Sequence, residues 1–580
     1  MAVSTQEDSQ SSSSRVIDIF IKYLKAEGVK VVFGIPGGLL YPFFAVIEAD
    51  TDIDLIVTKH EEGAAFMADG YARVSRQLSV CAGTSGPGAT NMITGVACAF
   101  ADGVPMLVLT GQAATHALGK GAAQETSRED IDIVAMFKPV TKYSAMVTTP
   151  QSMGGHLRRA FRYALTGRPG PVHLNVPVDL WEKPLIETWL DPKTYRADAS
   201  TFDPVAVGRA SSLLFGAKCP AILAGAGVCS AGAQEHLRIL AELLPACVAT
   251  TPRGKGVFPE SHPLSLGVMG FAGHAAARDT LLSNDIDVLL AVGTSLNEVA
   301  TLNWAPKLSH ERVFLQVDID PDRIGRNYPV DVGIVGDSQA ILKELVSQLQ
   351  NTLQKGVAPA SIWKKKSLPQ RVFSETELRD SEHIPVTPQR WRKDLEEVLP
   401  HNAVVFSDIG GHMLSNIHYL TMQAEQKFVL NLGFGSMGHG TVAPIGAALA
   451  DRKRPVVAII GDACFTMNGM ELITACEYDV DNLIWVVENN NMHGITYYAS
   501  RALSSGALSS VCYKRPIDVA ALARAMGLVT WIVDRPGQMA SVFREALASS
   551  GPSLIEVRVD ASVAPPLGDR VKSISGFVDK

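Results

Sequence analysis

The sequence lacks three features that would each place it in a particular class of protein. It has no apolar run of roughly 18 residues, the length that a membrane-spanning helix needs. Its 8 cysteines form no Cys-x-x-Cys pair, and it has no block of basic residues, the formal net charge being −7. We therefore expect no membrane partner, reduced and buried thiols as in intracellular proteins, and no nucleic acid as the main partner.

The N-terminal segment also lacks targeting signals. Residues 1–14 are rich in serine and carry acidic side chains, without the apolar core of a secretory signal or the arginines of a transit peptide. We predict a disordered segment here and a cytoplasmic protein.

The composition is that of a globular protein with several domains. The chain has 580 residues, of which 47% are hydrophobic and 19% charged. At about 150 residues per domain, this length favours three or four domains. Apolar runs typical of buried parallel strands alternate with helical stretches in three blocks. We predict three doubly wound α/β domains with parallel sheets, at residues 15–190, 195–355 and 385–565. The runs that define them are residues 31–33, 106–110, 172–176, 220–224, 288–293, 313–318, 403–406, 456–460 and 483–487.

Oxygen-bearing side chains follow two apolar runs in the third block. Asp462 comes directly after residues 456–460, and Asn490 lies in an amide cluster after residues 483–487. Because the carboxyl ends of parallel strands meet at one edge of a sheet, both side chains are expected there. Mg²⁺ takes one or two such oxygens from protein and the rest from phosphate and water. The spacing therefore predicts a cation shared with a phosphorylated ligand.

Two segments of the first block also suggest a binding site. Glu61 lies in the first turn of a predicted helix, where a negative charge suits the helix dipole. Residues 85–91, SGPGATN, form a small-residue turn into a helix, which lets the backbone approach a ligand closely. Each signal alone also fits an ordinary helix start or connection.

Taken together, these motifs carry a resemblance that spans nearly the whole chain. Residues 33–38, 60–61, 85–91, 109–112, 123–125, 435–438 and the 461–494 segment occur in that order. They resemble the acetolactate synthase branch of thiamine diphosphate (ThDP)-dependent decarboxylases and carboligases. The three predicted domains would then be the pyrimidine-binding (PYR), central and diphosphate-binding (PP) domains of such enzymes.

The resemblance implies ThDP and Mg²⁺ as cofactors and assigns residues to them. Glu61 would bind the aminopyrimidine ring, and Met437 would hold the cofactor in its bent shape. Asp462, Asn490 and the Met492 carbonyl would bind Mg²⁺. The full set of cofactor-binding residues implied is Pro36, Glu61, Asn91, Gly435, Met437, Asp462, Ala463, Cys464, Asn490, Met492, His493 and Gly494.

The resemblance also implies the catalytic residues and the substrate pocket. Glu61 would exchange a proton with the pyrimidine nitrogen, and Gln124 would act in the reaction chamber. The substrate pocket would be lined by Gly37, Gln124, His412, Tyr498 and Ala499. The substrates would be a 2-keto acid donor, such as pyruvate, and a carbonyl acceptor. In this family Glu61 and Asp462 meet across a subunit interface, so a homodimer or homotetramer is expected.

One loop departs from the biosynthetic members of the family. Those enzymes carry an Arg-Phe-Asp-Asp-Arg segment after the strand that ends here at residue 293, with one arginine for FAD and one for the acceptor's carboxylate. Residues 295–299 read SLNEV, so both arginines are missing. Ala499 and Ala123 stand at positions of larger aromatic residues in the family. We therefore expect no bound FAD and a roomier pocket that does not require a second 2-keto acid.

Three functions remain open at this point. A carboligase that transfers an acyl-anion equivalent to a carbonyl acceptor is favoured, since the adjacent His-His pair of simple pyruvate decarboxylases is missing. The alternative is a 2-keto acid decarboxylase, similar to pyruvate or phosphonopyruvate decarboxylases, that releases an aldehyde. A non-catalytic paralogue is disfavoured by the presence of Glu61, Asp462 and Asn490.

Overall fold

The computed structural model describes residues 14–185, 189–197, 201–363, 368–503 and 506–578. Of the N-terminal segment predicted to be disordered, residues 1–13 lie outside these ranges. Contacts divide the chain into two compact units. The first comprises the residues up to Ala72 with Arg76–Ala197, and the second comprises Arg73–Ser75 with the chain from Asp198 onward.

The first unit is built on a six-stranded parallel sheet. In sheet order, its strands are Asp54–Val57, Val31–Ile35, Ser79–Gly83, Met106–Gln112, Pro171–Pro177 and Ser144–Met146. Two further short strands, Ser14–Arg15 and Pro184–Leu185, pair antiparallel. The α-helices are Val16–Ala26, Tyr41–Glu48, Glu61–Ser75, Pro87–Thr90, Ile93–Asp102, Ile133–Phe137, Met153–Leu165 and Pro192–Tyr195, and single 3₁₀ turns are Gly38–Leu40, Thr115–Ala117, Lys138–Val140, Pro150–Ser152 and Val178–Leu180.

The second unit contains two such sheets, and the first of them lies earlier in the chain. In sheet order, its parallel strands are Ser265–Val268, Cys247–Thr250, Pro220–Ala224, Val288–Val292, Val313–Asp318 and Val332–Val335. Its α-helices are Pro204–Gly216, Ala226–Ala231, Gln234–Leu243, Ala275–Leu281, Glu298–Thr301 and Ser338–Gln354, and its 3₁₀ turns are Pro252–Gly254, Pro306–Leu308 and Pro321–Arg323.

The last sheet has the same architecture. In sheet order, its parallel strands are Lys427–Leu430, Val404–Ser407, Val456–Gly461, Leu483–Asn489, Ser553–Arg558 and Val529–Val533. Its α-helices are Thr376–Arg379, Pro388–Glu396, Gly411–Tyr419, His439–Ala450, Asp462–Asn468, Leu472–Glu477, Gly494–Leu503, Val519–Ala525, Gln538–Ala548 and Gly568–Val578, with 3₁₀ turns at Gly469–Glu471 and Ser509–Val511.

The predicted fold class is confirmed: the chain has three α/β domains, each with a six-stranded parallel sheet flanked by helices. The apolar runs form these strands because a parallel sheet is covered by helices on both faces and so buries nearly every strand residue. In Leu483–Asn489, for example, all seven residues are buried. Within the described part of the chain, no helix is both long and apolar enough to cross a membrane.

A buried ion pair lies in the connection that follows Cys247–Thr250 and contacts the last domain. Lys255 Nζ donates to both carboxylate oxygens of Glu260, at 2.7 and 3.0 Å, and to the carbonyl of Ile417 at 3.0 Å. Arg371 donates to the same carboxylate at 3.2 Å. Because Lys255 has three acceptors inside the protein, this lysine is occupied in holding the turn after Cys247–Thr250 against the helix Gly411–Tyr419.

Candidate functional site

The predicted site residues fall into two sets, one in each unit, and both lie near the carboxyl ends of parallel strands. The first unit holds Pro36, Gly37, Glu61, Asn91 and Gln124. The second holds His412, Gly435, Met437, Asp462, Ala463, Cys464, Asn490, Met492, His493, Gly494, Tyr498 and Ala499.

Glu61 and Asn91 are in direct contact. Glu61 is the first residue of the helix Glu61–Ser75, and His60 caps that helix by accepting a hydrogen bond of 3.2 Å from the Glu62 backbone. Asn91 follows the short helix Pro87–Thr90 and donates to Glu61 Oε2 at 2.9 Å. The structure therefore brings together two side chains that were predicted to serve one cofactor.

The surroundings of Glu61 lack side-chain bulk. A Cβ atom built on Gly88 would lie 3.3 Å from Glu61 Oε1 and 3.0 Å from the Thr84 side chain. A Cβ on Gly37 would come within 2.5 Å of Thr84. Thr84 Oγ1 itself is buried and has no hydrogen-bond partner among the described residues. This edge of the sheet thus leaves a buried polar atom that a ligand with a polar group could satisfy.

Gln124 has an unusual backbone conformation. Its φ of 57° lies in the left-handed region, which is uncommon for a residue other than glycine. Its Cβ and Cγ lie against Gly86, each 3.6 Å from a Cβ built there. The next residue, Glu125, stabilises the loop by accepting hydrogen bonds from the Gly119 backbone at 2.5 Å and from Ser127 Oγ at 2.5 Å. Gln124 is thereby placed over the same turn that carries Asn91.

A chain of buried hydrogen bonds supports this loop from within the sheet. Gln112 Oε1 accepts from the Thr126 backbone at 3.0 Å, and Gln112 Nε2 donates to Asn175 at 3.0 Å. Asn175 donates to Thr110 Oγ1 at 2.9 Å, and Thr110 contacts His173 Nε2 at 2.8 Å. The chain ends where His173 Nδ1 meets Ser144 Oγ at 2.9 Å and that hydroxyl donates to the Val134 carbonyl at 2.8 Å.

Asp462 lies at the start of a helix that follows a central strand of the last sheet. Gly461 pairs with Glu488 of the next strand, so Asp462 and Asn490 leave adjacent strands at the same edge. One oxygen of Asp462 accepts from the Ala463 backbone at 2.7 Å, whereas the other is buried and has no partner among the described residues. Burial raises the pKa of Asp462 to about 7, partly offset by backbone N–H groups that include those of Asn491 and Met492.

The loop that follows the Leu483–Asn489 strand is held firmly. Met492 forms an isolated antiparallel bridge with Cys512, and the His493 backbone donates to Val511 at 3.0 Å. Asn490 Nδ2 lies 3.0 Å from where a Cβ of Gly494 would stand, so the amide packs closely against this glycine. The loop that contains Asn490 and the Met492 carbonyl therefore begins at the same edge of the sheet as the Asp462 carboxylate, one oxygen of which has no partner among the described residues.

Carboxylate, amide and carbonyl oxygens are ligands that fit a hard cation such as Mg²⁺. No three His, Cys, Asp or Glu side chains among the described residues cluster as a metal-binding group. A cation at Asp462 would hence take its other ligands from amide and backbone oxygens, from water and from a bound phosphate, which is the mixture Mg²⁺ prefers. Its charge would also favour the ionised carboxylate over the protonated one.

His412 adjoins Asp462. The His412 ring lies against the backbone of the strand end, where a Cβ built on Gly461 would be 2.9 Å from its Nδ1. Burial, with Arg392 nearby, lowers the pKa of His412 to about 3, so the ring is neutral. Its Nε2 is buried without a partner in the described part of the chain. Two buried polar atoms thus lack partners at this edge, which supports a ligand site there.

Asp408 holds the glycine-rich turn that carries Gly435 and Met437. Its two oxygens each lie 3.1 Å from the Gly438 backbone nitrogen, and Thr441 Oγ1 donates to one of them at 3.0 Å. Sequence reasoning missed Asp408, although it follows the apolar run 403–406 much as Asp462 follows 456–460. Cys464 Sγ donates to the carbonyl of Ile409 at 3.2 Å, which joins the segment that carries Asp408 to the Asp462 helix.

Tyr498 and Ala499 lie on the helix Gly494–Leu503, which follows the loop at residues 490–493. Tyr498 is buried, its ring approaches Gly494, and its hydroxyl donates to the carbonyl of Ala561 at 2.7 Å. Ala499 is half-buried beside it. Because the Tyr498 hydroxyl already has an acceptor, the contribution of this side chain to a pocket would be its ring.

The loop that lacks the two arginines is engaged with the C-terminal helix. Glu298 accepts a hydrogen bond from Ser573 Oγ and pairs with Arg570 at 3.6 Å. The neighbouring strand ends are crowded: a Cβ on Gly225 or Gly227 would lie within 2.3 or 2.7 Å of the Gly293 backbone. These glycines are thus required by the approach of one backbone segment to another.

Comparison with known proteins places the chain among thiamine enzymes. Residues 14–136 match the model described as thiamine pyrophosphate enzyme, N-terminal TPP binding domain. Residues 207–345 match the central domain of the same enzymes, and residues 408–557 match their C-terminal TPP binding domain.

Three relatives of similar length are named as acetolactate synthase large subunits. The chain is 36% identical to a probable acetolactate synthase large subunit of Methanocaldococcus jannaschii, over 96% of this chain and 94% of the relative. It is 35% identical to that of Methanococcus aeolicus, over 97% and 95%. It is also 31% identical to the acetolactate synthase isozyme 3 large subunit of Escherichia coli K12, over 94% and 95%.

Proposed function

Because the chain belongs to the thiamine pyrophosphate enzyme family and is an enzyme of its acetolactate synthase-like branch, we propose that it is a Mg²⁺-dependent carboligase. It decarboxylates pyruvate or a similar 2-keto acid and transfers the acyl-anion equivalent to a carbonyl acceptor. The observation that carries this proposal is the Glu61–Asn91 contact together with the unpartnered oxygen of Asp462.

In this proposal Asp462, Asn490 and the Met492 carbonyl would hold Mg²⁺, and the backbone around Ala463 and Gly494 would lie near the diphosphate. When bound, thiamine diphosphate supplies a nucleophilic carbon and an electron sink for loss of CO₂. Glu61 holds and exchanges a proton at the pyrimidine ring nitrogen. Because Asn91 donates to Oε2, it fixes the orientation of the carboxylate while Oε1 remains available.

The pocket residues have separate tasks. Gln124 is presented by its left-handed turn and orients the carbonyl substrate by hydrogen bonding. His412 is neutral, so its Nε2 can donate or accept a hydrogen bond without adding charge. Met437 supports the bent cofactor from the turn held by Asp408. The homodimer or homotetramer implied by the resemblance remains part of the proposal, and sedimentation analysis would test it.

A second candidate function, simple decarboxylation with release of an aldehyde, is favoured by one observation. Ser295 and Val299 stand where the resemblance places the arginines, and the neighbouring Glu298 is committed to Arg570 and Ser573. Residues 295–299 therefore include no cationic side chain that could bind the carboxylate of an acceptor.

Product analysis separates the two functions. The purified protein would be incubated with ThDP, Mg²⁺ and labelled pyruvate, with and without a panel of aldehydes and ketones. A hydroxyketone containing the label supports carboligation, whereas labelled acetaldehyde as the main product under every condition contradicts it. Acetolactate formed efficiently from pyruvate alone would contradict the expectation that the 295–299 loop gives little preference for carboxylate-bearing acceptors.

A further inference from the structure

We propose that the buried ion pair of Arg392 and Glu488 is a positioning element that fixes His412 and the candidate metal loop, residues 490–493, relative to each other. The inference rests on the proposed function, since it concerns how this chain holds its Mg²⁺ ligands. Neither residue touches the candidate ligands' side chains. Arg392 and Glu488 would therefore act through the backbone they hold.

Glu488 lies just before the candidate metal loop, near the end of the preceding strand. It is the penultimate residue of the strand Leu483–Asn489, two positions before Asn490, and it pairs in the sheet with Gly461, the residue before Asp462. Arg392 Nη1 donates to Glu488 Oε2 at 2.7 Å, and Trp391 Nε1 donates to the same oxygen at 3.2 Å. The carboxylate is thus held from the helix Pro388–Glu396 at the point where the strand ends.

The remaining donors of Arg392 reach the element that carries His412. Nη2 donates to the His412 carbonyl at 3.2 Å, and Nε donates to Asn416 Oδ1 at 2.8 Å. Asn416 in turn donates to Ser407 Oγ at 3.0 Å, at the end of the strand that precedes Asp408. The Arg392 guanidinium therefore contacts two segments that lead into the candidate site and reaches a third through Asn416.

Stability alone is a poor reason for this arrangement. Arg392 is fully buried and Glu488 is nearly so. Replacing a buried ion pair with apolar residues of similar size is often neutral or stabilising. The pair instead fixes the relative positions of the segments it contacts, because the planar guanidinium sets the direction of each of its hydrogen bonds. Groups that orient the ligands of a metal in this way typically matter for metal affinity.

The test compares Mg²⁺-dependent ThDP binding with stability in four full-length proteins. These are the wild type, Arg392→Lys, the double variant Arg392→Met with Glu488→Met, and Arg379→Lys as a matched control. Arg379 also forms a largely buried ion pair, with Glu396 at 2.7 Å. It donates to the Tyr419 carbonyl, at the other end of the helix that carries His412. Binding would be followed by circular dichroism at a series of Mg²⁺ concentrations, and the melting temperature would be measured without cofactor.

We expect Arg392→Lys to raise the half-saturating Mg²⁺ concentration about 10–100-fold, with Arg379→Lys close to the wild type. The double Met variant should show the same loss while its melting temperature without cofactor stays near that of the wild type. The inference is overturned if Arg392→Lys, or a folded double variant, binds Mg²⁺ and ThDP as the wild type does. If the double variant does not fold, Arg392→Lys decides alone.

Failure of the proposed function would give a different result. A wild-type protein whose ThDP binding does not depend on Mg²⁺ would remove the metal assignment, and the positioning inference with it. A wild type that binds ThDP with Mg²⁺, accompanied by unchanged variants, would leave the proposed function intact and overturn only the role of the Arg392–Glu488 pair.

Discussion

Asn91 donates a hydrogen bond of 2.9 Å from its side-chain amide to Oε2 of Glu61. The two residues come from different connections of the first sheet, one after Asp54–Val57 and one after Ser79–Gly83. An amide donor neither gains nor loses a proton in the range in which carboxylates titrate. Glu61 is therefore oriented by a group that cannot compete with it in acid–base catalysis.

Glu61→Gln should nearly abolish turnover and leave ThDP affinity within several-fold of the wild type. The amide keeps the shape of the side chain but removes the exchangeable proton, and losing such a group typically costs about 10²–10⁴ in rate. Steady-state kinetics and a ThDP titration would measure the two effects. Glu62→Gln, which removes the neighbouring carboxylate, serves as the control. Retention of more than about a tenth of the activity would contradict the role of Glu61.

Asp462→Ala should weaken ThDP binding and make it strongly dependent on Mg²⁺ concentration. The substitution removes the anionic ligand of a cation that would join protein to diphosphate. Asp481→Ala changes an exposed aspartate of the same unit and should behave as the wild type. An unchanged ThDP affinity in the Asp462 variant would show that the metal assignment is wrong.

The purified protein should lack a yellow flavin chromophore. Ser295 and Val299 stand at the positions of the two family arginines, and Lys255 of the nearby turn is occupied by Glu260 and Ile417. An absorption spectrum of the native protein, and of the supernatant after denaturation, would measure bound flavin. A stoichiometric amount would contradict the interpretation of this loop.

Val299→Arg should improve the use of a second 2-keto acid as acceptor. The gain is bounded by one charge-assisted contact, roughly 1.5–3 kcal/mol. Glu298 could reduce it by pairing with the new arginine, although its carboxylate already contacts Arg570 and Ser573. The ratio of kcat/KM for keto-acid and aldehyde acceptors measures the effect, with Val299→Gln as the uncharged control. An equal gain in both variants would exclude a charge effect.

The first unit should lose stability as the pH falls below about 6.5, the ordinary pKa of histidine. Burial lowers the pKa of His173 to about 3. Between this value and the ordinary pKa of histidine, the unfolded chain therefore binds a proton at His173 that the folded protein does not bind. Stability from this group is complete above the unfolded pKa and decreases by up to about 1.4 kcal/mol per pH unit below it.

Hydrogen exchange of the Pro171–Pro177 strand in the full-length protein would measure this slope. His173→Gln should make the slope shallower by one proton, whatever it does to stability at neutral pH. His116→Gln removes an exposed histidine of the same unit and should leave the slope as it is. If both variants keep the wild-type slope, His173 does not control the acid sensitivity of this strand.

The sequence could predict that Asp462 and Asn490 leave one edge of a sheet, because strand polarity follows from the βαβ pattern. The strand pairing of Gly461 with Glu488 confirms that the two strands are neighbours. The assignment of these side chains to Mg²⁺ stays a prediction. The predicted domain boundaries likewise stay predictions.

Contacts between distant segments could not be predicted in this way. The helix Pro388–Glu396 has a polar sequence that is typical of an exposed helix, yet its Arg392 is fully buried against Glu488. The only signal was a carboxylate inside an apolar strand, which requires a buried partner without naming it. The contact of Glu298 with Ser573 spans 275 positions and has no local signature.

In the buried chain of hydrogen bonds from Gln112 to Ser144, the donor and acceptor of each bond are fixed by their neighbours. Asn175 uses its amide hydrogens on Thr110 and on the Gly111 carbonyl, so Thr110 must pass its own hydrogen to His173 Nε2. His173 then carries its hydrogen on Nδ1 and gives it to Ser144. An aspartate at position 175 would accept where the asparagine donates, and Thr110 would turn its hydroxyl towards it. His173 would take the opposite tautomer, and every hydrogen from Thr110 to Ser144 would reverse. A change from one amide nitrogen to one carboxylate oxygen would thus reverse hydrogen bonds on three strands, and the carbonyls of Gly111 and Val134 would each lose a donor.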